Sequence, residues 1–403
     1  MLRDDLERSR LTTFFRFFLA LPHLIWLALW FSLVAAPLAL ANWIAALISG
    51  ESSPTLHRFL AAYTRYAAHV TAYVTLAADP FPGFTGRPGS YPVDVEVDPP
   101  GRQNRWKTGF RLILALPAML LADTLVGFGT SLAGGASTYA AGVAVTAAFL
   151  GWFAVLARGR MPRGLRDLSV WAIGFSAQVT AYLLILTDRY PDPDPCEGPW
   201  VASNRPHPIG MTVEDDLKRS RLMVFFRFPL AVPHLVWLVL WGIVAFFAAL
   251  VNWFITLFRG RPAEPLHRFL SAYVRYQTHA YAFLQVAANP FPGFTGRPDS
   301  YPIDLEIAPP ERQNRWITGF RLVLAVPAFL ISGALGSAGF IATILGWFVG
   351  LFTGRMPLGL RNVVALALRY NAQAFGYIAL LTDRYPYSGP VAGPATTPAP
   401  LTI

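Results

Sequence analysis

Six histidines fall in pairs along the chain, His23 with His234, His57 with His267 and His69 with His279. Two histidines facing each other inside a membrane are the usual cradle of haem b. A plainer role lies beside them, because Pro22 and Pro233 each free a backbone carbonyl that the neighbouring ring N–H can satisfy. That hydrogen bond is the expected role, and no cofactor or metal is expected. The one cysteine, Cys196, rules out an intramolecular disulfide and a cysteine-built metal site. Arg16, Arg111, Arg227 and Arg321 each stand six residues before a proline. At the mouth of an apolar helix such an arginine can lay its stem along the helix and reach lipid phosphate; the functional alternative is a central anionic site on which all four converge. A second set runs along helical stripes: Arg58, Arg65 and His69; Arg268, Arg275 and His279; Arg166 with Gln178 and Tyr182; Arg361 and Arg369 with Gln373 and Tyr377. These arginines and histidines are the candidate contacts for anionic headgroups. Asp79, Asp188 and Asp383 occupy a position filled by Asn289 in the third case, and are expected to form turns or pair with nearby arginines. Asp123 is the one acid within an apolar run, where a turn or interface is the plain reading and proton coupling the functional one. No phosphate loop, His-Glu-x-x-His or Gly-x-Ser-x-Gly elbow occurs, so no enzymatic class is favoured.

The elements that must position these residues are set by composition and by repetition. Of 403 residues 54% are hydrophobic and 14% charged, against about 25% charged in soluble proteins. The class is a membrane protein. The net charge of +10 is carried almost wholly by arginine, with Lys107 and Lys218 the only lysines, and permanent guanidinium charge suits phosphate. Because the arginines flank apolar runs rather than line a soluble face with stacking aromatics, nucleic acid is not an expected partner. A charged start, residues 1–10, followed by a long apolar stretch does not resemble a cleavable leader, so the first apolar segment is expected to be retained.

The chain repeats itself. Asp5-Leu-Glu-Arg-Ser-Arg-Leu11 returns as Asp216-Leu-Lys-Arg-Ser-Arg-Leu222, and the loop 80–88 returns unchanged as 290–298. A weaker repeat within each half relates Phe15-Arg16 to Phe110-Arg111. Four repeats follow, at 1–101, 102–210, 211–311 and 312–388, with a Pro/Ala/Thr tail, 389–403, expected to be disordered.

Residues 17–50, 228–258 and 322–354 carry no charge, and each run exceeds the roughly 20 residues of one crossing. Glycine-rich stretches at 127–137 and 333–339 split the second and fourth runs, as in a transmembrane hairpin. Pro37 could turn the first; the third offers only Gly242, so a single tilted helix stays open there. Arginines on both flanks place both ends of each run in the cytoplasm by the positive-inside rule, with both termini and most loops on that side of a bacterial plasma membrane. The closing helix of each repeat, 56–78 in the first, is expected to lie in the headgroup region; if such helices cross instead, eight spans become as many as twelve. Residues 93–97 and 301–307 alternate apolar and acidic side chains, which predicts two short cytoplasmic strands pairing with each other. The fold class expected is therefore an all-α polytopic membrane protein of four hairpin-plus-amphipathic-helix repeats with two short strands.

Arginine, proline-histidine, an apolar run, a basic helix and then Tyr-Pro-Val, seen in Phe15-Arg16 to Pro22-His23, Phe226-Arg227 to Pro233-His234 and the strands at Tyr91 and Tyr301, resembles domain of unknown function 4389. That family comprises bacterial membrane proteins common in actinobacteria, and the resemblance covers nearly the whole chain. The second and fourth repeats depart from it, with Ala118 and Ala328 in place of the histidine. The resemblance implies localisation and architecture and carries no activity. The function expected is a noncatalytic membrane scaffold or accessory subunit that binds anionic lipid, a membrane-protein partner or a second copy; the alternative is a transporter or lipid-handling protein.

Overall fold

The computed structural model describes residues 5–127, 141–198 and 207–390, so most of the glycine-rich stretch 127–137 and of the tail lies outside the described residues. Two compact units divide the chain at Pro193 and Asp194, and each holds two repeats. In the first half α1 (Arg10–Trp30), a π-helical turn (Phe31–Ala35) and α2 (Ala36–Ser49) run on as one 40-residue helix. Then come α3 (Pro54–Val74), α4 (Arg105–Gly109), α5 (Arg111–Val126), α6 (Val143–Arg158) and α7 (Arg163–Leu183). The second half has β1 (Ile209–Val213), α8 (Arg221–Phe225), α9 (Arg227–Arg259), α10 (Glu264–Leu284), β2 (Ile303–Ile307), α11 (Arg315–Thr353) and α12 (Leu358–Ile378).

Three helices, Arg10–Ser49, Arg227–Arg259 and Arg315–Thr353, are long and apolar enough to cross a membrane, which marks a membrane protein. The expected hairpins are corrected in the first, third and fourth repeats, where the apolar run is one helix without reversal. Residues 333–339 stay helical because their small side chains serve contact: a Cβ on Gly339 would sit 3.1 Å from the Cβ of Ala367 in α12. Glycine costs a helix about 1 kcal/mol relative to alanine, which burial against α12 outweighs. In the second repeat Gly127 closes α5 in a left-handed turn and meets Gly142 at the start of α6, within 2.9 Å of an added Cβ. Counting from Arg111 and Arg321, this junction corresponds to the neighbourhood of Ser337 inside unbroken α11.

The π turn has a similar origin. Arg16 and Trp43 are 27 residues apart, whereas Arg227 and Trp253 are 26 apart. One extra residue in the first repeat is absorbed as a π-bulge at 31–35 instead of shifting everything beyond it by 100°.

The closing helices α3, α7, α10 and α12 form the core of their halves. All but five of the 21 residues of α12 are buried, as are all but seven of α7, which differs from helices resting in a headgroup layer. The long helices cover them with small or polar residues: Thr13, Arg16, Ala20, His23, Ala35, Asn42 and Ala46 are the buried positions of the first. The strand pairing is also corrected. β2 forms as expected, but its antiparallel partner is β1, with Ile209 opposite Ile307 and Val213 opposite Ile303. Residues 93–97 form no strand with it.

Candidate functional site

Each closing helix ends in a left-handed residue that is not glycine: Leu76, Ile185, Val286 and Leu380, with φ of 60° to 62°. For β-branched Ile185 and Val286 that conformation is costly and needs support. The support is an arginine. Arg16 Nη1 donates to the carbonyls of Tyr73 at 2.8 Å and Ala78 at 2.9 Å, and its Nη2 meets Asp79 Oδ1 at 2.5 Å. Arg111 does the same with Tyr182, Thr187 and Asp188 at 2.8, 2.9 and 2.9 Å, adding Gln103. Arg227 donates to Phe283 and Ala288, and Arg321 to Tyr377, Thr382 and Gln313. Every guanidinium also lies 4.4 to 4.6 Å above an aromatic ring, that of Tyr73, Tyr182, Phe283 or Tyr377. All four arginines are buried. They sit one per repeat, and each clamps the backbone of its own repeat. The pairing weighed for Asp79 and Asp188 is present; Asn289 leaves Arg227 Nη2 without a partner among the described residues.

The helical stripes divide. Arg65 Nε donates to Val95 O at 3.0 Å and Arg275 Nε to Leu305 O at 3.2 Å, while His69 and His279 each bind a carboxylate, Asp94 and Asp304, at 2.8 Å. These side chains hold the segment that follows the Tyr-Pro step against the closing helix. Burial lowers the pKa of His69, though Asp94 pulls the other way. Burial alone would raise Asp94, but bonds from His69 and from the amides of Gly89 and Val95 outweigh it and hold the carboxyl low. Arg166 is buried against Asp167 at 2.7 Å, Arg361 is buried near Asp215 and Asp194, and Arg369 donates to the carbonyls of Gly389 and Pro390. Arg58 and Arg268 are exposed.

His23 and His234 do not take the proline-freed carbonyls. Their Nδ1 atoms pair with the hydroxyls of Tyr66 and Tyr276 at 2.7 Å, and their rings stack on Phe84 and Phe294 at 4.3 and 4.4 Å. Those phenylalanines come from the repeated loop at 80–88 and 290–298. Among the described residues no group of three or more metal-ligating side chains gathers.

A feature that spacing did not expose is a reciprocal tie between repeats. Trp43, at the end of the first long helix, donates to Thr108 O at 2.8 Å, and Trp152 donates back to Thr13 O at 3.1 Å. The second half repeats it, with Trp253 to Thr318 and Trp347 to Val224 at 2.7 and 2.8 Å. Each repeat thus holds the start of its neighbour with the far end of its own apolar run. The available signal was the recurrence of tryptophan 26 residues after the arginine in the third and fourth repeats.

What the halves turn outward is apolar. Exposed large hydrophobics run along the first long helix from Leu11 to Ile48 and along α8 and α9 from Leu222 to Phe258, about 55 Å each at 1.5 Å per residue. Exposed arginines stand at both ends: Arg10, Arg158 and Arg163 at one, Arg58, Arg102 and Arg105 at the other. A membrane protein of repeated units, with long outward-facing apolar helices clamped by buried arginines, is the class so defined. The chain belongs to the family described as Domain of unknown function (DUF4389), whose model matches residues 10–85, 105–194, 221–295 and 315–388. Comparison with curated proteins and with solved structures gives no match.

Proposed function

We propose that the protein is a noncatalytic membrane scaffold, integral to the bacterial plasma membrane, whose long helices lie along the cytoplasmic leaflet and whose rim arginines engage anionic headgroups. The observation that carries this reading is the unbroken apolar face, about 55 Å long, with basic residues at both ends. A bilayer core is about 30 Å thick, and helices that cross it tilt by about 20° on average and rarely beyond 40°. A crossing helix of this length would carry part of its apolar face beyond the hydrocarbon core. Laid along the interface, the same helix buries that face throughout and keeps both arginine clusters on one side, as the positive-inside rule favours. The buried arginines and histidines support a structural reading of themselves, since their polar atoms are largely committed to the chain's own carbonyls, hydroxyls and carboxylates. The lipid-binding role passes to exposed Arg58, Arg268 and their rim neighbours.

The test is single-cysteine labelling in a Cys196→Ser background, with cysteines placed at Ser9 and Ser49, the two ends of the first long helix. Labelling of both from the cytoplasm alone is expected. Labelling from opposite faces would overturn the in-plane placement. It would favour the second reading, a transporter, for which the reciprocal ties between repeats speak, because transport folds are commonly built from paired repeats.

A further inference from the structure

The first and third repeats are near copies, and they differ where the third opens a cleft. Between α9 and α10 lies a space of about 540 Å³ whose lining includes Leu235, Gly242, Phe246, Tyr273, Gln277 and Tyr281 and holds no charged residue. That volume is within the usual range of small-molecule sites, about 300–1,000 Å³. Tyr273, Gln277 and Tyr281 stand at i, i+4 and i+8 on α10 and so form one stripe. Their hydroxyl and amide groups form no hydrogen bond among the described residues, and all three side chains line the cleft beside the apolar face of α9. Gly242 makes the room: a Cβ there would come within 2.9 Å of the Tyr273 hydroxyl. Glycine in a helix interior is unfavourable unless something must approach closely.

In the first repeat the corresponding residues are Phe31, Tyr63, Ala67 and Thr71. Phe31 stacks against Tyr63 with ring centres 5.9 Å apart, and the Thr71 hydroxyl donates to Ala67 O at 2.8 Å on its own helix. There the Phe31 ring takes the place of Gly242, Ala67 carries no polar group and the Thr71 hydroxyl is satisfied, so that of the stripe only the Tyr63 hydroxyl remains. In the third repeat, three neutral donors turned into a space with an apolar wall suit a ligand with an apolar body and acceptor oxygens.

We infer that this cleft binds one uncharged acylglycerol lipid, its ester carbonyls accepting from Tyr273, Gln277 and Tyr281 and its acyl chains lying along α9 past Gly242. The uncharged lining separates this site from the arginine rim, which suits anionic headgroups. The inference rests on the lipid-facing reading of α9 and not on whether the helix lies in the plane or crosses, so labelling at Ser9 and Ser49 does not decide it.

The test is native mass spectrometry of the full chain released from micelles containing dioleoylglycerol or, separately, dioleoylphosphatidylglycerol. Wild type is expected to retain one dioleoylglycerol. Retention should fall at least tenfold in Gly242→Phe, which installs the first repeat's ring, and also in the double variant Gln277→Ala/Tyr281→Thr, whose residues the first repeat already tolerates. Equal retention in all three proteins would overturn the site. A phosphatidylglycerol adduct lost in the same variants would overturn the uncharged class.

Discussion

Arg16 has an anionic acceptor at 2.5 Å in Asp79, and the equivalent Arg227 faces Asn289 with one Nη unpartnered among the described residues. A buried guanidinium N–H without an acceptor carries its full desolvation cost. Asn289→Asp is therefore expected to stabilise the second half, by about 1–3 kcal/mol for one charge-assisted bond, seen as a rise in Tm. The existing bond from the Ser220 amide to the residue 289 oxygen survives the change. Loss of a clamp runs the other way: Arg321→Gln removes donors to Tyr377 and Thr382 beside the left-handed Leu380. It should lower stability by more than about 3 kcal/mol, at about 1.5–3 for each charged bond.

His207 contributes to the pH dependence, alongside the other buried histidines. Burial pushes its pKa down to about 4, and its neutral Nδ1 accepts the Ile209 amide at 3.0 Å where β1 begins. Arg384 and Arg369 face it and disfavour a second positive charge. Its folded pKa lies below the unfolded value near 6.5, so the unfolded chain takes up the proton first. Stability is then full near neutrality and declines as pH falls toward about 4. A series of melts from pH 7 to pH 4.5 should show this slope, and His207→Gln should make it shallower. The sequence offered the arginines readily and their acceptors poorly. A backbone carbonyl in a left-handed turn has no side-chain signature, whereas the recurrent aspartate after each closing helix did point to a partner.

Helices were legible as apolar runs, but their reversals were not there to be found. Run length and glycine content suggested hairpins. Gly339 and Gly346 instead admit Ala367 and the Met356 sulfur, contacts that only the folded pair α11–α12 reveals. The extra residue between Arg16 and Trp43 was present in the spacing all along, and its meaning appears only with the π turn. Deleting Ser32 should convert 31–35 to regular α-helix and preserve the bond from Trp43 to Thr108, leaving Tm within a few degrees. Deleting Ile243 from the already regular α9 rotates Trp253 away from Thr318 by about 100° and should cause a large loss. Paired thermal melts distinguish the two.

At the scale of the whole chain, duplication, family and membrane class were readable from residue order alone, since repeated motifs and charge depletion survive without coordinates. The pairing of β1 with β2 was not, because short strands choose partners by proximity. Clamps and tryptophan ties close within each half, so residues 1–193 expressed alone should keep their helical content and melt cooperatively, as circular dichroism can check.

Those ties also bear on how such a chain could have arisen. A single repeat has a tryptophan at its end with no carbonyl to hold and a starting turn that nothing holds. Two copies of it, placed face to face about a two-fold axis, close both bonds. The reciprocity of Trp43 and Trp152 is that of a symmetric dimer written into one polypeptide, the arrangement that a one-repeat protein would reach by pairing with a second copy.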